Sequence, residues 1–276
     1  MDKVCLTEEK ETLLIPLFGK AIESRKSSPV LTDKKAAQIV ELIDYDFGSL
    51  KIPDKTNVMM CIRARLIDRY VQRFLAENSD CTALHLGCGL DSRHNRISPA
   101  AADWYDVDFP DVIDLRRHFY QENAHYHMIA SSVTEPDWLQ SVPVRKHCIV
   151  IAEGLFMYLT EEQISTLIAR LAQHFGRFVL IFDAYSTLTA RHAMNHPSIK
   201  KTGARIQWGL DDPKKPEAWG LRLAEEQHFT DNEALDGLRP GIRALFRAAG
   251  IFPAARKAHR ILIYHTQPGK EGDPAD

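Results

Sequence analysis

The chain has 276 residues, 45% hydrophobic and 26% charged, which is enough to bury a full core and excludes wholesale disorder. Its net charge is −2 at pH 7, without the basic excess that general nucleic-acid or anionic-membrane binding needs. No apolar run is long enough to predict a membrane span, and the start MDKVCLTEEKE lacks the apolar core of a signal peptide. The 5 scattered cysteines, without a CxxC pair, suit a reducing cytoplasm.

In chain order, Leu13, Leu14, Leu17 and Phe18, then Ala36, Ile39, Val40 and Ile43, recur at helical spacing, with breaks at Pro29 and Pro53. Residues 1–60 are therefore expected to form a helical cap over the ligand end of a sheet. A stronger helix is predicted over 58–76, burying Ile62, Leu66, Ile67, Tyr70 and Phe74. Arg65, Arg69 and Arg73 share one face of it and read as a solvated stripe; Arg63 stands apart. Strands are predicted at 82–86, 102–107, 126–130, 148–152, 178–182 and 260–265. Between them, Asp111 is expected to cap a helix, Asp137 to begin a short one, and Thr160 with Gln163 to form a capping box before Ile164, Leu167, Ile168, Leu171 and Phe175. This alternation predicts a parallel sheet with helices on both faces. The division expected is a cap (1–60), an α/β core (61–184), a Pro-rich lid insertion of short helices over the carboxyl edge (185–258), and a last strand with a loose tail (259–276).

The stretch Ala83-Leu84-His85-Leu86-Gly87-Cys88-Gly89-Leu90-Asp91 organises the rest. A strand that stops on glycines lets a ligand approach the backbone closely, and in an open α/β sheet such a turn lies at the carboxyl end, where ligands bind. Asp108, at the end of the next strand, follows Gly87 by about twenty residues, the spacing at which a carboxylate meets a ribose. Ser132 and Glu153-Gly154 end the third and fourth strands. A nicotinamide oxidoreductase is a rival reading, opposed by the missing third glycine and the absence of a Tyr-x-x-x-Lys pair.

LGCGLDSR, WYDVDFPDVIDLRR and IAEGLFMYLTEEQI resemble the leucine carboxyl methyltransferase family, most of all its tetracenomycin-type polyketide O-methyltransferases; PLFGKAIESRKSSPVLTDKKAA, IRARLIDRY and HPSIKKTGARIQWGLDDP fit the same subgroup. The resemblance implies a class I methyltransferase fold, a Rossmann-like, mostly parallel sheet with an antiparallel last strand. It also implies S-adenosyl-L-methionine as cofactor and no metal. By position, Arg63, or Arg65 if the helix alignment slips, is implied to hold the methionyl carboxylate; Gly87, Cys88 and Gly89 the cradle; Asp108 the ribose; Ser132 and Val133 the adenine edge. Glu153 with Gly154 lies by the methionyl amino group, and Tyr158 lines the methyl-donor pocket. The implied activity is O-methylation of a carboxylate or hydroxyl on a small molecule. The alternatives are a protein carboxyl terminus as acceptor and a non-catalytic cofactor-binding relative. A carboxylate acceptor is ionised and needs no base, whereas a hydroxyl is helped by one. Tyr185, His192 and His196 are the candidates, and Trp208, Trp219 and Phe229 are expected to wall the acceptor pocket. Monomer and homodimer both stay open.

Overall fold

The computed structural model describes residues 4–5, 11–99, 102–194 and 205–267. Two short parallel strands, β1 (Val4–Cys5) and β2 (Ile43–Asp44), flank α1 (Glu11–Ser24) and α2 (Lys34–Leu42), and α3 (Asp54–Glu77) follows. α3 begins 4 residues before the expected 58, because Pro53 stands at its N-cap in extended conformation and Asp54 favours the positive end of the helix dipole.

The main sheet has 7 strands: β3 (Cys81–Leu86), β4 (Ala102–Asp108), β5 (Tyr126–Ala130), β6 (His147–Ala152), β7 (Val179–Tyr185), β8 (Leu221–His228) and β9 (His259–Thr266). Their order is β5-β4-β3-β6-β7-β9-β8; β3 to β7 pair in parallel, and β9 runs antiparallel to both its neighbours. The Pro-rich segment therefore departs from expectation: besides short helices it supplies β8, the edge strand. Its alternation of exposed and half-buried residues carries charges, Glu225 and Glu226 among them, and this hid the strand from a search for apolar runs.

Successive residues of the central strands face opposite sides. Ala83, Ile149, Ile151, Ile181, Ile261 and Ile263 pack into one core with α1, α2 and α3. Leu84, Leu86, Val150, Leu180, Phe182 and Leu262 pack into the other, with α6 (Glu161–Phe175). Burial on both faces explains the continuous apolar reading of β6. α6 has the expected capping box, and Ile164, Leu167, Ile168, Leu171 and Phe175 are its buried residues. Asp111 does not cap its helix, α5 (Pro110–Arg117): Phe109 takes the cap position, Pro110 opens the helix, and Asp111 lies in the first turn.

Candidate active site

β3 leads its chain into the crevice at the carboxyl end of the sheet. Gly87 and Gly89 both adopt positive φ, +61° and +50°, a region that costs residues with a Cβ. A Cβ on Gly87 would also lie 2.9 Å from Leu155 Cδ1. Asp108, at the tip of β4, fixes the turn: its Oδ2 accepts from Gly89 N (2.7 Å) and its Oδ1 from Phe109 N (2.8 Å). Burial raises the Asp108 pKa against those two amides. Ser131 N reaches Asp108 O (2.9 Å), which sets the start of the Ser132–Val133 loop beside the same tip.

A cavity of about 270 Å³ opens over this turn, between α1, α3 and the tips of β3, β6 and β7. Arg63, Gly87, Cys88, Gly89, Glu153, Gly154, Tyr158 and Tyr185, all singled out from the sequence, line it; Asp108, Ser132 and Val133 are not among its lining residues. Arg63 reaches it from the buried side of α3. Its Nε donates to Glu153 Oε1 (3.0 Å) and its Nη1 to Asp183 Oδ2 (3.0 Å), while Nη2 has no partner among the described residues. Arg65 points elsewhere, to the carbonyls of Ala234 and Asp236, both at 2.8 Å. It thus docks the segment after β8, a correction both to its candidacy for the carboxylate and to its place in a solvated stripe.

Glu153 is shared between Arg63 and Arg93 of α4 (Arg93–Ile97), and Arg93 in turn holds Asp68 (2.6 Å). Arg96 binds Asp33, Asp68 and Asp91, and Lys20 of α1 closes the network on Asp91 (2.5 Å). Burial opposes the Glu153 charge, but Arg63 and Arg93 overcome it and hold the carboxyl at about 2. Burial likewise opposes the Arg63 charge, and Asp183 with Glu153 more than restores it. A guanidinium and a carboxylate, both ionised, therefore stand side by side on the cavity wall.

A second cavity, of about 540 Å³, shares Thr56, Met60, Arg63 and Tyr185 with the first and continues to Met59, Ala193 and His259. His192, on α7 (Thr187–Ala193), also lines it, but its Nδ1 lies 2.9 Å from its own helix carbonyl at Leu188. His196 lies outside the described residues. Burial pushes the Tyr185 phenol up to about 12. The expected aromatic wall is not there. Trp208 packs into the core with Phe156, Phe182 and Trp219, and Phe229 stacks behind His259 at 4.6 Å. These rings lack polar tasks at the crevice and serve to bury area.

The sequence reading missed Lys20, His85, Asp91, Asp183 and His259. Asp91 lies two residues after Gly89 and Asp183 at the end of a predicted strand, so both were visible by position. Lys20 and His259 carry no local signal, because only the fold brings them to the crevice.

The sheet order, the single antiparallel strand and the glycine turn at the tip of β3 define the class I methyltransferase fold. The plantazolicin methyltransferase BpumL, solved with SAH, has the same fold at a TM-score of 0.50 and 10% identity, over 95% of this chain and 100% of that one. A family model described as leucine carboxyl methyltransferase matches residues 14–172, and the chain belongs to that family. It is 38% identical over 266 residues to the tetracenomycin polyketide synthesis O-methyltransferase TcmP of Streptomyces glaucescens, covering 95% of this chain and 98% of the relative. It is 32% identical to the S-adenosyl-L-methionine-dependent methyltransferase dpfgK of Gibberella zeae over 81% and 83% of the two chains. The nicotinamide reading falls with this result.

Proposed function

We propose that this chain is an S-adenosyl-L-methionine-dependent O-methyltransferase acting on a small, largely apolar molecule. The observation that carries the cofactor half is the Arg63–Glu153 pair on the wall of a cavity roofed over a glycine turn. A zwitterionic amino acid needs that pair: a planar guanidinium with Nη2 to spare for its carboxylate, and an ionised carboxylate for its ammonium. Gly87, Cys88 and Gly89 would take the chain between amino acid and ribose, Asp108 the ribose hydroxyls, and Ser132 with Val133 the adenine edge. Gly154 and Tyr158 would complete the wall of the methionyl pocket.

Bound there, the cofactor supplies a sulfonium whose methyl group is already electrophilic. The protein's part is to orient the acceptor oxygen and to keep water out. The second cavity suits that part: Met59, Met60, Ala193 and Ala258 make it apolar, and it meets the first at Arg63 and Tyr185. The two curated relatives above, with names that specify O-methylation in polyketide synthesis and dependence on this cofactor, support the reading.

Calorimetry with S-adenosylhomocysteine, followed by transfer of a tritiated methyl group to a panel of polycyclic phenols, aromatic carboxylic acids and a peptide ending in leucine, tests it. Binding of the nucleoside and labelling of a small acceptor are expected. Labelling of the peptide alone would move the assignment to protein carboxyl methylation, and failure of the nucleoside to bind would end it.

A further inference from the structure

After β8 the chain runs through α8 (Asn232–Leu235), α9 (Pro240–Gly250) and α10 (Pro253–Lys257) before it enters β9. Between Gly237 and Ala258 it carries Arg239, Arg243, Arg247, Arg256 and Lys257 and not one acidic residue, so the basic excess that the whole chain lacks is concentrated here. Phe246 turns one face of α9 into the core with Ile242 beside it, and Arg247 and Arg256 fasten the two helices to Asn232 (3.2 Å) and Asp231 (3.1 Å). Ala244, Leu245, Ala248 and Ile251 recur at three- and four-residue steps and so share the opposite face, where all four are exposed. Leu245 is 55% exposed, Ile251 78% and Phe252 65%, the last two being consecutive at the corner between α9 and α10. A helix with apolar residues on two faces needs a covering on each. Among the described residues the outer face has none.

We propose that this outer face docks on the surface of an anionic phospholipid bilayer. The corner presents large apolar side chains, which a bilayer takes up at its headgroup boundary when basic residues flank them. Arg256 is spent on Asp231, but Arg239, Arg243, Arg247 and Lys257 have no carboxylate partner among the described residues, which leaves their charges for lipid phosphates. An acidic protein would satisfy the same charges. It would also need a surface shaped to receive Ile251 and Phe252, whereas a fluid bilayer accommodates a projecting corner without one. Ala258, the residue after α10, lines the second cavity, so the patch runs up to the space assigned above to the acceptor. A bilayer is where an apolar acceptor of the kind proposed above accumulates.

Co-sedimentation of the cofactor-free full chain with vesicles of phosphatidylglycerol and phosphatidylcholine in equal parts tests this, and its outcome is read apart from cofactor binding and methyl transfer. The chain is expected to pellet with these vesicles and to stay in solution with phosphatidylcholine alone. Ile251→Ser combined with Phe252→Ser should lower partitioning about tenfold or more (~1.4 kcal/mol). Arg239→Gln and Lys257→Gln should each lower it about fivefold (~1 kcal/mol). Val144→Ser, at a residue 55% exposed before β6, is the matched control and should leave partitioning unchanged. All these side chains are exposed, so urea midpoints equal to wild type are expected and show that the variants are folded. Absence of pelleting with the anionic vesicles overturns the proposal, as does pelleting that survives the double exchange at Ile251 and Phe252. A dimer seen by sedimentation velocity without lipid, and dissolved by Phe252→Ser, assigns the face to a second copy of the chain and overturns it too. Binding of a helical peptide with glutamates at four-residue steps, in place of the vesicles, assigns it to an acidic protein with the same result.

Discussion

Two buried carboxylates, each clamped by an arginine, lie within the same crevice end of the sheet and differ in one respect. Asp106 of β4 is fully buried and accepts from Trp104 Nε1 (2.9 Å), Tyr126 Oη (2.6 Å), His85 and Arg116. Arg116 is equally spent, with Nε on Tyr126 Oη (3.1 Å), Nη1 on Gly89 O (2.9 Å) and Nη2 on Asp106. Neither residue lines the cavity. Glu153 and Arg63 use the same chemistry, but they face open space and Arg63 keeps an unclaimed nitrogen. A buried ion pair thus marks scaffold when every donor is consumed, and a binding site when one is held back toward a cavity.

The largest effect expected from this contrast is on stability. Asp106→Asn strands the Arg116 charge in the interior and should cost about 3–5 kcal/mol in urea unfolding, while the folded protein binds S-adenosylhomocysteine within about threefold of wild type (~0.7 kcal/mol). A large loss of affinity with stability intact would dissolve the distinction. Next comes Arg63→Ala, expected to weaken S-adenosylhomocysteine binding about 100-fold, or about 2.7 kcal/mol, by calorimetry. Arg63→Lys should recover little, because a point charge cannot replace a fork that spans Glu153, Asp183 and ligand. Asp108→Asn follows at about tenfold, near 1.4 kcal/mol, since an amide loses the charge and offers one acceptor where the Gly89 and Phe109 amides use two; full affinity would remove Asp108 from the ribose.

Acid tests the Glu153 cluster from a different direction. Glu153 has its carboxyl held at about 2 against an ordinary 4.5, so the folded form is the stronger acid. The stability this contributes is whole above pH 4.5 and is lost as pH falls toward about 2. Urea midpoints measured between those limits should therefore fall with acid in wild type and fall less in Glu153→Gln. Equal slopes would mean that Glu153 does not carry its charge into the fold.

The sequence made the sheet legible because β3, β6 and β7 are buried on both faces, and buried strands leave apolar runs between turn residues. It hid β8, an edge strand of charged and half-buried residues. At the site, Gly87, Gly89 and Glu153 were readable because each sits at a strand end, and Tyr185 because it lies just past one, whereas Arg63 was reached only through the family resemblance. His259 was not readable, since its pairing is with an antiparallel neighbour more than 70 residues away, Asp183. The aromatic residues misled for a related reason: Trp208 and Phe229 occur in the segment expected to close over the crevice, but their rings turn into the core.

Asp183 is a party wall. One of its oxygens serves Arg63 in the first chamber and His259 in the second, and the other receives Gly154 N at 2.6 Å. Any substitution there disturbs both rooms at once, so a defect in turnover and a defect in cofactor capture will arrive together and say nothing about which tenant was evicted. Only a double-mutant cycle between Arg63 and His259, with the wall left standing, can apportion the traffic across it.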